Sequence, residues 1–108
     1  MITVDLSLLI RDAQQPSPRE CNFLLGSLAT RVCIRLHVGE DGLYSWEQSH
    51  FIRTPLQIDA YRTSCPSSDT EERAWRAAFR SLTQQYEWAL REGYKPENSW
   101  LLPNEDWR

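Results

Sequence analysis

The chain predicts an α+β fold in which a single-layer antiparallel sheet of three to four strands is packed by one long C-terminal helix. The expected element order is β-α-β-β-β-α. Two observations carry this expectation. Residues 67–93 combine a start signal, a buried stripe and a stop signal for one helix, and residues 32–52 alternate apolar and polar side chains around an Asp-Gly turn. One layer of helix on one antiparallel sheet is the α+β solution to burying both apolar faces. A length of 108 residues, 41% of them hydrophobic, supports one domain spanning residues 1–108 with a modest single core.

The N-terminal segment opens on Ile2, Val4, Leu6, Leu8 and Ile10, alternating with Thr3, Asp5 and Ser7, which is a strand pattern. It has no basic leader, and Asp5 interrupts it, so it does not read as a signal peptide. Residues 14–17 are polar and turn-like. Ser17-Pro18-Arg19-Glu20 then has helix-start chemistry: a capping Ser, Pro at the first helical position and Glu at the third. Cys21, Leu24, Leu25 and Leu28 would share one face of a short helix. Gly26 weakens that helix, and a strand over residues 22–28 is the alternative.

Val32, Ile34, Leu36 and Val38 alternate with Arg31, Cys33, Arg35 and His37. Tyr44, Trp46 and Ile52 then fall on even positions of the next run. A three-residue loop, Glu40-Asp41-Gly42 with Gly42 left-handed, would pair Val38 with Tyr44 and Leu36 with Trp46. It would also set Arg35 opposite Glu47. Thr54-Pro55 ends that strand, and residues 57–65 read as another, with Ile58 and Ala60 on one side.

The long helix has capping-box spacing at Ser68/Glu71 and at Asp69/Glu72, with Gly93 placed as the left-handed stop and Pro96 beyond it. Trp75, Ala78, Phe79, Leu82, Tyr86, Ala89 and Leu90 form its apolar stripe. Arg73, Arg76, Arg80, Gln84, Glu87 and Arg91 lie on the far side. Glu72–Arg76 and Glu87–Arg91 have ion-pair spacing, which leaves Arg73 and Arg80 without an obvious helical partner. Trp88 projects instead beside Ala74, Ala77 and Ser81, a flank of small residues expected to lie under another element or a second copy. Residues 94–108 form an irregular aromatic tail with Trp100, Leu101, Leu102 and Trp107. Such a tail either packs back on its own domain or is recognised by a partner.

The formal net charge is −3, spread as six basic and seven acidic groups over residues 1–65 and six and eight over residues 66–108. Neither half has the positive excess of a general nucleic-acid binder, so nucleic acid is not an expected partner. No apolar run is long enough to span a membrane. Cys21, Cys33 and Cys65 are odd in number and widely spaced, which favours reduced thiols and a cytoplasmic location.

Catalytic chemistry is not visible. His37 and His50, the two histidines, fall on opposite strand faces in this register. Cys33 and His37 share a face, but two ligands with Arg35 between them fall short of a metal site. A Cys–His nucleophile would need a third, orienting group, and none is identifiable. The four glycines all have turn or cap roles, and none belongs to a phosphate-binding loop. No metal, cofactor or enzymatic activity is therefore expected.

The helix–three strands–helix order resembles the double-stranded-RNA-binding fold, which contacts RNA through Lys residues opening its last helix. The corresponding positions here are Asp69, Thr70, Glu71 and Glu72, which oppose phosphate. Asp41-Gly42 and Asp69-Thr70-Glu71-Glu72 are also similar to the HicB-type antitoxin core. That resemblance implies a regulator binding a toxin, nucleic acid or both, although the Pro-Gly-Cys segment expected between the two is absent. The residues themselves point to a small non-catalytic interaction, accessory or regulatory protein acting through aromatic and Arg-rich surfaces. Its expected partner is another protein or a second copy of itself. The candidate partner-binding residues are Trp88, Trp100, Leu101, Leu102, Trp107, Arg73 and Arg80.

Overall fold

A computed structural model of the chain describes residues 9–62 and 67–107. Strands β1 (Ile10–Ser17), β2 (Glu20–Leu25), β3 (Arg31–Val38), β4 (Tyr44–Gln48) and the two-residue β6 (Ser67–Ser68) form one sheet in the order β1-β2-β3-β4-β6. Every pairing in it is antiparallel. A second sheet joins β5 (His50–Ile52) to β7 (Leu101–Pro103). The helix α1 (Glu71–Arg91) covers the larger sheet, and a 3-10 turn (Asn98–Trp100) leads from it into β7. The fold is α+β.

Alternation decides the sheet. Cys21, Phe23 and Leu25 of β2 and Val32, Ile34 and Leu36 of β3 are buried against the helix, while Glu20, Asn22, Leu24, Arg31, Cys33, Arg35 and His37 face the other way. The hairpin between β3 and β4 has the expected register. Val38 pairs with Tyr44, Leu36 with Trp46 and Arg35 with Glu47, and Gly42 has φ +79°. The Gly39 amide donates to the Leu43 carbonyl and the Gly42 amide to the Gly39 carbonyl, closing the loop around Glu40-Asp41-Gly42.

The short helix at residues 17–28 is not formed. Ser17 pairs with Glu20 across a two-residue turn, and β1 and β2 make a hairpin instead. The 3.6-residue grouping of Cys21, Leu24, Leu25 and Leu28 leaves Phe23 out; the period-two reading buries Phe23 completely and gives β2 a full ladder with β3. Residues 14–17, read as a turn, belong to β1. That edge strand is irregular, with register shifts on both sides of Gln14 and a positive φ at Asp12, features that discourage edge-to-edge pairing. Of the strand expected at residues 2–10, only Leu9 and Ile10 fall within the described residues.

Three further expectations are corrected. The run at residues 44–52 is two strands, because the chain leaves the first sheet at Ser49 and β5 pairs with the tail. Residues 57–62 form a hydrogen-bonded loop rather than a strand, and residues 63–66 of that expected strand lie outside the described residues. The order β-α-β-β-β-α therefore loses its first helix, and with it the topological basis of both family resemblances.

The long helix forms as its pattern requires, over 21 residues. Its N-cap is Thr70, whose hydroxyl accepts from the Arg73 amide at 3.1 Å; Ser68 is occupied in β6. At the other end Gly93 has φ +88°. The Gly93 amide donates to the Leu90 carbonyl and the Tyr94 amide to the Ala89 carbonyl, which is a Schellman stop. Trp75, Ala78, Phe79, Leu82, Tyr86 and Ala89 are buried as expected. Leu90, at the edge of the stripe, is 40% exposed. Phe79 lies between Phe23 and Trp75, with ring centroids at 5.3 and 5.8 Å, and this trio forms the helix–sheet contact.

Candidate protein-interaction surface

The helix carries the first part of the surface. Arg73, Ala77, Arg80, Gln84 and Trp88 recur every three or four residues and so share the face turned from the sheet. Trp88 is 53% exposed, and Ala77, about three turns earlier on the same face, is half-buried. The small flank expected to receive a covering element is partly used already. Ala74 and Ser81 are buried, with the Ser81 hydroxyl donating to the Ala78 carbonyl at 2.6 Å. The two arginines differ. Arg73 does have a partner, Asp69, at 3.1 Å, since Asp69 precedes the helix at i−4 spacing. Arg80 is exposed and has no ion pair among the described residues.

The tail residues separate into two groups. Trp100 and Leu101, expected on a partner-facing surface, are core residues at 3% and 5% exposure. Trp100 packs edge-on against Tyr86 at 5.6 Å, and Leu101 pairs with Ile52 across the small sheet. Leu102 lies on the other face of that sheet, half-buried and opposite Phe51. Trp107 is half-buried over the Arg35 guanidinium at 4.4 Å. It is brought there by Asn104, whose amide nitrogens donate to the Ser49 and Gln48 carbonyls at 2.8 and 2.9 Å. The tail therefore packs on its own domain, and the aromatic surplus left at the surface is chiefly Trp88.

The open sheet face holds the groups nearest to chemistry. Glu20 lies 3.7 Å from Arg35 and accepts from the Cys33 thiol at 3.5 Å, while His37 contacts Glu47 at 2.5 Å. His50 is remote from this array in kind. It sits on β5, in the other sheet, with its Nδ1 at 2.8 Å from the Ser49 hydroxyl. Burial pushes both described thiols up to about 11, and at Cys33 the Glu20 carboxylate adds to the effect. A thiol so shifted stays protonated near neutrality and is a poor nucleophile. Cys21 and Cys33 are free thiols; Cys65 lies outside the described residues. Among the described residues, no three His, Cys, Asp or Glu side chains group as metal ligands would. No described helix is long and apolar enough to cross a membrane.

Sequence reasoning missed the loop at residues 53–62. Ile58, read there as a strand residue on one side with Ala60, is 87% exposed, and Leu56 is 37% exposed. The available signal was Thr54-Pro55, a break that starts a turn as readily as it separates strands. Two clefts flank Leu102. One, of about 420 Å³, contains Phe51 with Arg62 stacked on it at 4.1 Å; the other, of about 390 Å³, contains Pro55 and Trp100. Comparison of the chain with protein-family models, curated proteins and solved structures finds no match.

Proposed function

We propose that the chain is a small, non-catalytic cytoplasmic interaction protein that engages another protein through the outer face of α1. The observation that carries this reading is Trp88, half exposed on the long helix one turn beyond Gln84. An indole held in water loses much of the burial free energy available to so large an apolar group, and Trp with Arg is the pairing most enriched at binding hot spots. Arg80, which has no ion pair among the described residues, supplies a guanidinium one turn from Gln84, and Arg73 extends the face toward the helix start. The protonated thiols favour a binding role over covalent chemistry.

The test is the interaction set of Trp88→Ala and Arg80→Glu proteins after cross-linking in the native cell, compared with wild type by mass spectrometry. Both substitutions are at exposed positions and should leave the melting temperature within a degree or two of wild type, on the order expected for surface changes. Loss of the same cross-linked protein from both variants is the expected outcome. An unchanged set for both would remove the helix face as the binding surface.

A further inference from the structure

The outer face of α1 reads alike in both directions from its middle. Taken from Gln84, Arg80 and Trp88 stand four residues before and after, and Ala77 and Arg91 stand seven before and after. At about 100° per residue, all of them fall within about 40° of Gln84 around the helix. A two-fold axis beside Gln84 lays a second α1 antiparallel on the first and returns the same stripe with its ends exchanged. Trp88 of one copy then comes level with Arg80 of the other, so unlike groups meet.

The residue types fit that exchange. Ala77, Arg80, Ser81 and Gln84 have the i, i+3, i+4, i+7 spacing of a hole that receives one side chain from a facing helix. Ala77 and Ser81 are small, and the Ser81 hydroxyl is turned inward to the Ala78 carbonyl; Arg80 and Gln84 are exposed at the rim. Trp88 lies too far along its own helix to fill this hole, whereas Trp88 of an antiparallel copy arrives over it. Charge agrees with shape. Arg80 has no ion pair among the described residues, and the same operation brings Glu87 of the second copy to its side of the seam. Glu87 holds Arg91 of its own chain only loosely, at 4.0 Å, and a carboxylate can accept from two cations. Gln84 meets Gln84, and an amide both donates and accepts.

We propose that α1 pairs antiparallel with α1 of a second copy about a two-fold axis at Gln84. Trp88 of each copy seats in the hole at Ala77 and Ser81 of the other, and Arg80 of each meets Glu87 of the other. This rests on the reading of the outer helix face as a binding surface and names what covers it. The seam is about four turns long and belongs to the small end of specific interfaces, so the association is reversible.

Sedimentation equilibrium of the full chain tests the pairing, and directed cross-linking tests its register. Wild type should be a reversible dimer. Trp88→Ala should raise the dissociation constant at least about tenfold, the effect of losing a central anchor, with an unchanged melting temperature at a concentration where both are monomeric. Arg80→Glu should weaken the dimer, and adding Glu87→Arg should restore part of the loss. Position 84 faces itself across the axis, at a separation a disulfide can span, whereas Arg76 projects about 80° away around the helix. Mild oxidation should therefore give a covalent dimer from Gln84→Cys but not from Arg76→Cys or wild type. A strictly monomeric wild type, a dimer indifferent to Trp88→Ala, a double variant no tighter than Arg80→Glu, or equal cross-linking at positions 76 and 84 would each overturn the proposal. A monomeric wild type whose cross-linked protein in the cell is still lost from Trp88→Ala would overturn the pairing and leave the helix-face reading standing.

Discussion

Tyr86 and Gly26 show how closely single residues are fitted in this core. Gly26 ends β2 with φ +54°, and the Tyr86 ring lies directly over its Cα, so a Cβ there would overlap the phenol hydroxyl. The same hydroxyl accepts from the Ser27 amide at 3.1 Å, joining the helix to the turn that links β2 and β3. Gly26→Ala should therefore be destabilising by about 2–4 kcal/mol, from left-handed strain together with overpacking. Tyr86→Phe should cost about 1 kcal/mol, for the lost hydrogen bond. In the double variant the hydroxyl is gone and part of the overlap is relieved, so the two costs should sum to more than the double variant's loss. Urea denaturation of all four proteins measures this, and strict additivity would show that the Tyr86 hydroxyl is not what an added Cβ at position 26 meets.

At the scale of elements, the junction between β4 and β5 explains most of the difference between the sequence pattern and the fold. Tyr44, Trp46 and Ile52 keep one parity, so the pattern gives no sign of a break between them. The break comes from side-chain hydrogen bonds. The Cys33 amide donates to the Ser49 hydroxyl at 2.8 Å, leaving the hydroxyl proton for His50 Nδ1, and Gln48 Nε2 donates to the His50 carbonyl at 2.9 Å. One of these bonds spans 16 residues and the others join neighbours through their side chains, and neither kind leaves a periodic trace. The β3–β4 hairpin and α1 were legible because their instructions are local: an Asp-Gly loop, a stripe, a glycine stop. The β1–β2 hairpin was misread because its segment fits both periods, and only the ladder to β3 selects one. Trp88 was legible as a misfit on its helix, whereas Ile58 was hidden in an assumed strand.

The junction should also respond to pH. Burial lowers the His50 pKa below the ordinary 6.5, so the folded protein favours the neutral ring. Above the unfolded value both states are neutral, and the contribution to stability is complete. As pH falls through 6.5 the unfolded chain binds the proton first, and stability declines until the folded-state pKa has also been passed. Asn at this position can accept from the Ser49 hydroxyl without titrating. The stability lost between about pH 7.5 and about pH 5.5 should thus be smaller in His50→Asn than in wild type, as read by chemical denaturation. Equal losses would place the acid sensitivity elsewhere.

For the molecule as a whole, the segment after α1 is part of the core. Trp100 closes the end of the helix over Tyr86, Leu101 pairs with Ile52, and the Asn98 side chain accepts from the Ala29 amide at 2.8 Å. Among the described residues β5 pairs with β7 alone, so without the tail that β5 edge and the buried Ile52 would be opened to water. Beyond Asn104 the contacts are fewer, and the largest is Trp107 over Arg35, a partly exposed cation–π pair worth about 0.5–1 kcal/mol. Truncation should therefore be sharply graded. A chain ending at Asn104 should unfold cooperatively, with a melting temperature only a few degrees lower, the shift expected for about 1 kcal/mol in a domain of this size. A chain ending at Gly93 loses Trp100 and Leu101 together, two buried side chains each worth about 1.5–3 kcal/mol, as well as the β5–β7 ladder. That loss approaches the whole stability of a small domain, so the shorter chain should lack a cooperative transition. Thermal melts followed by near-ultraviolet circular dichroism distinguish the two. A cooperative, near-native melt of the chain ending at Gly93 would mean that the tail is an appendage, with Trp100 and Leu101 free to serve a partner after all.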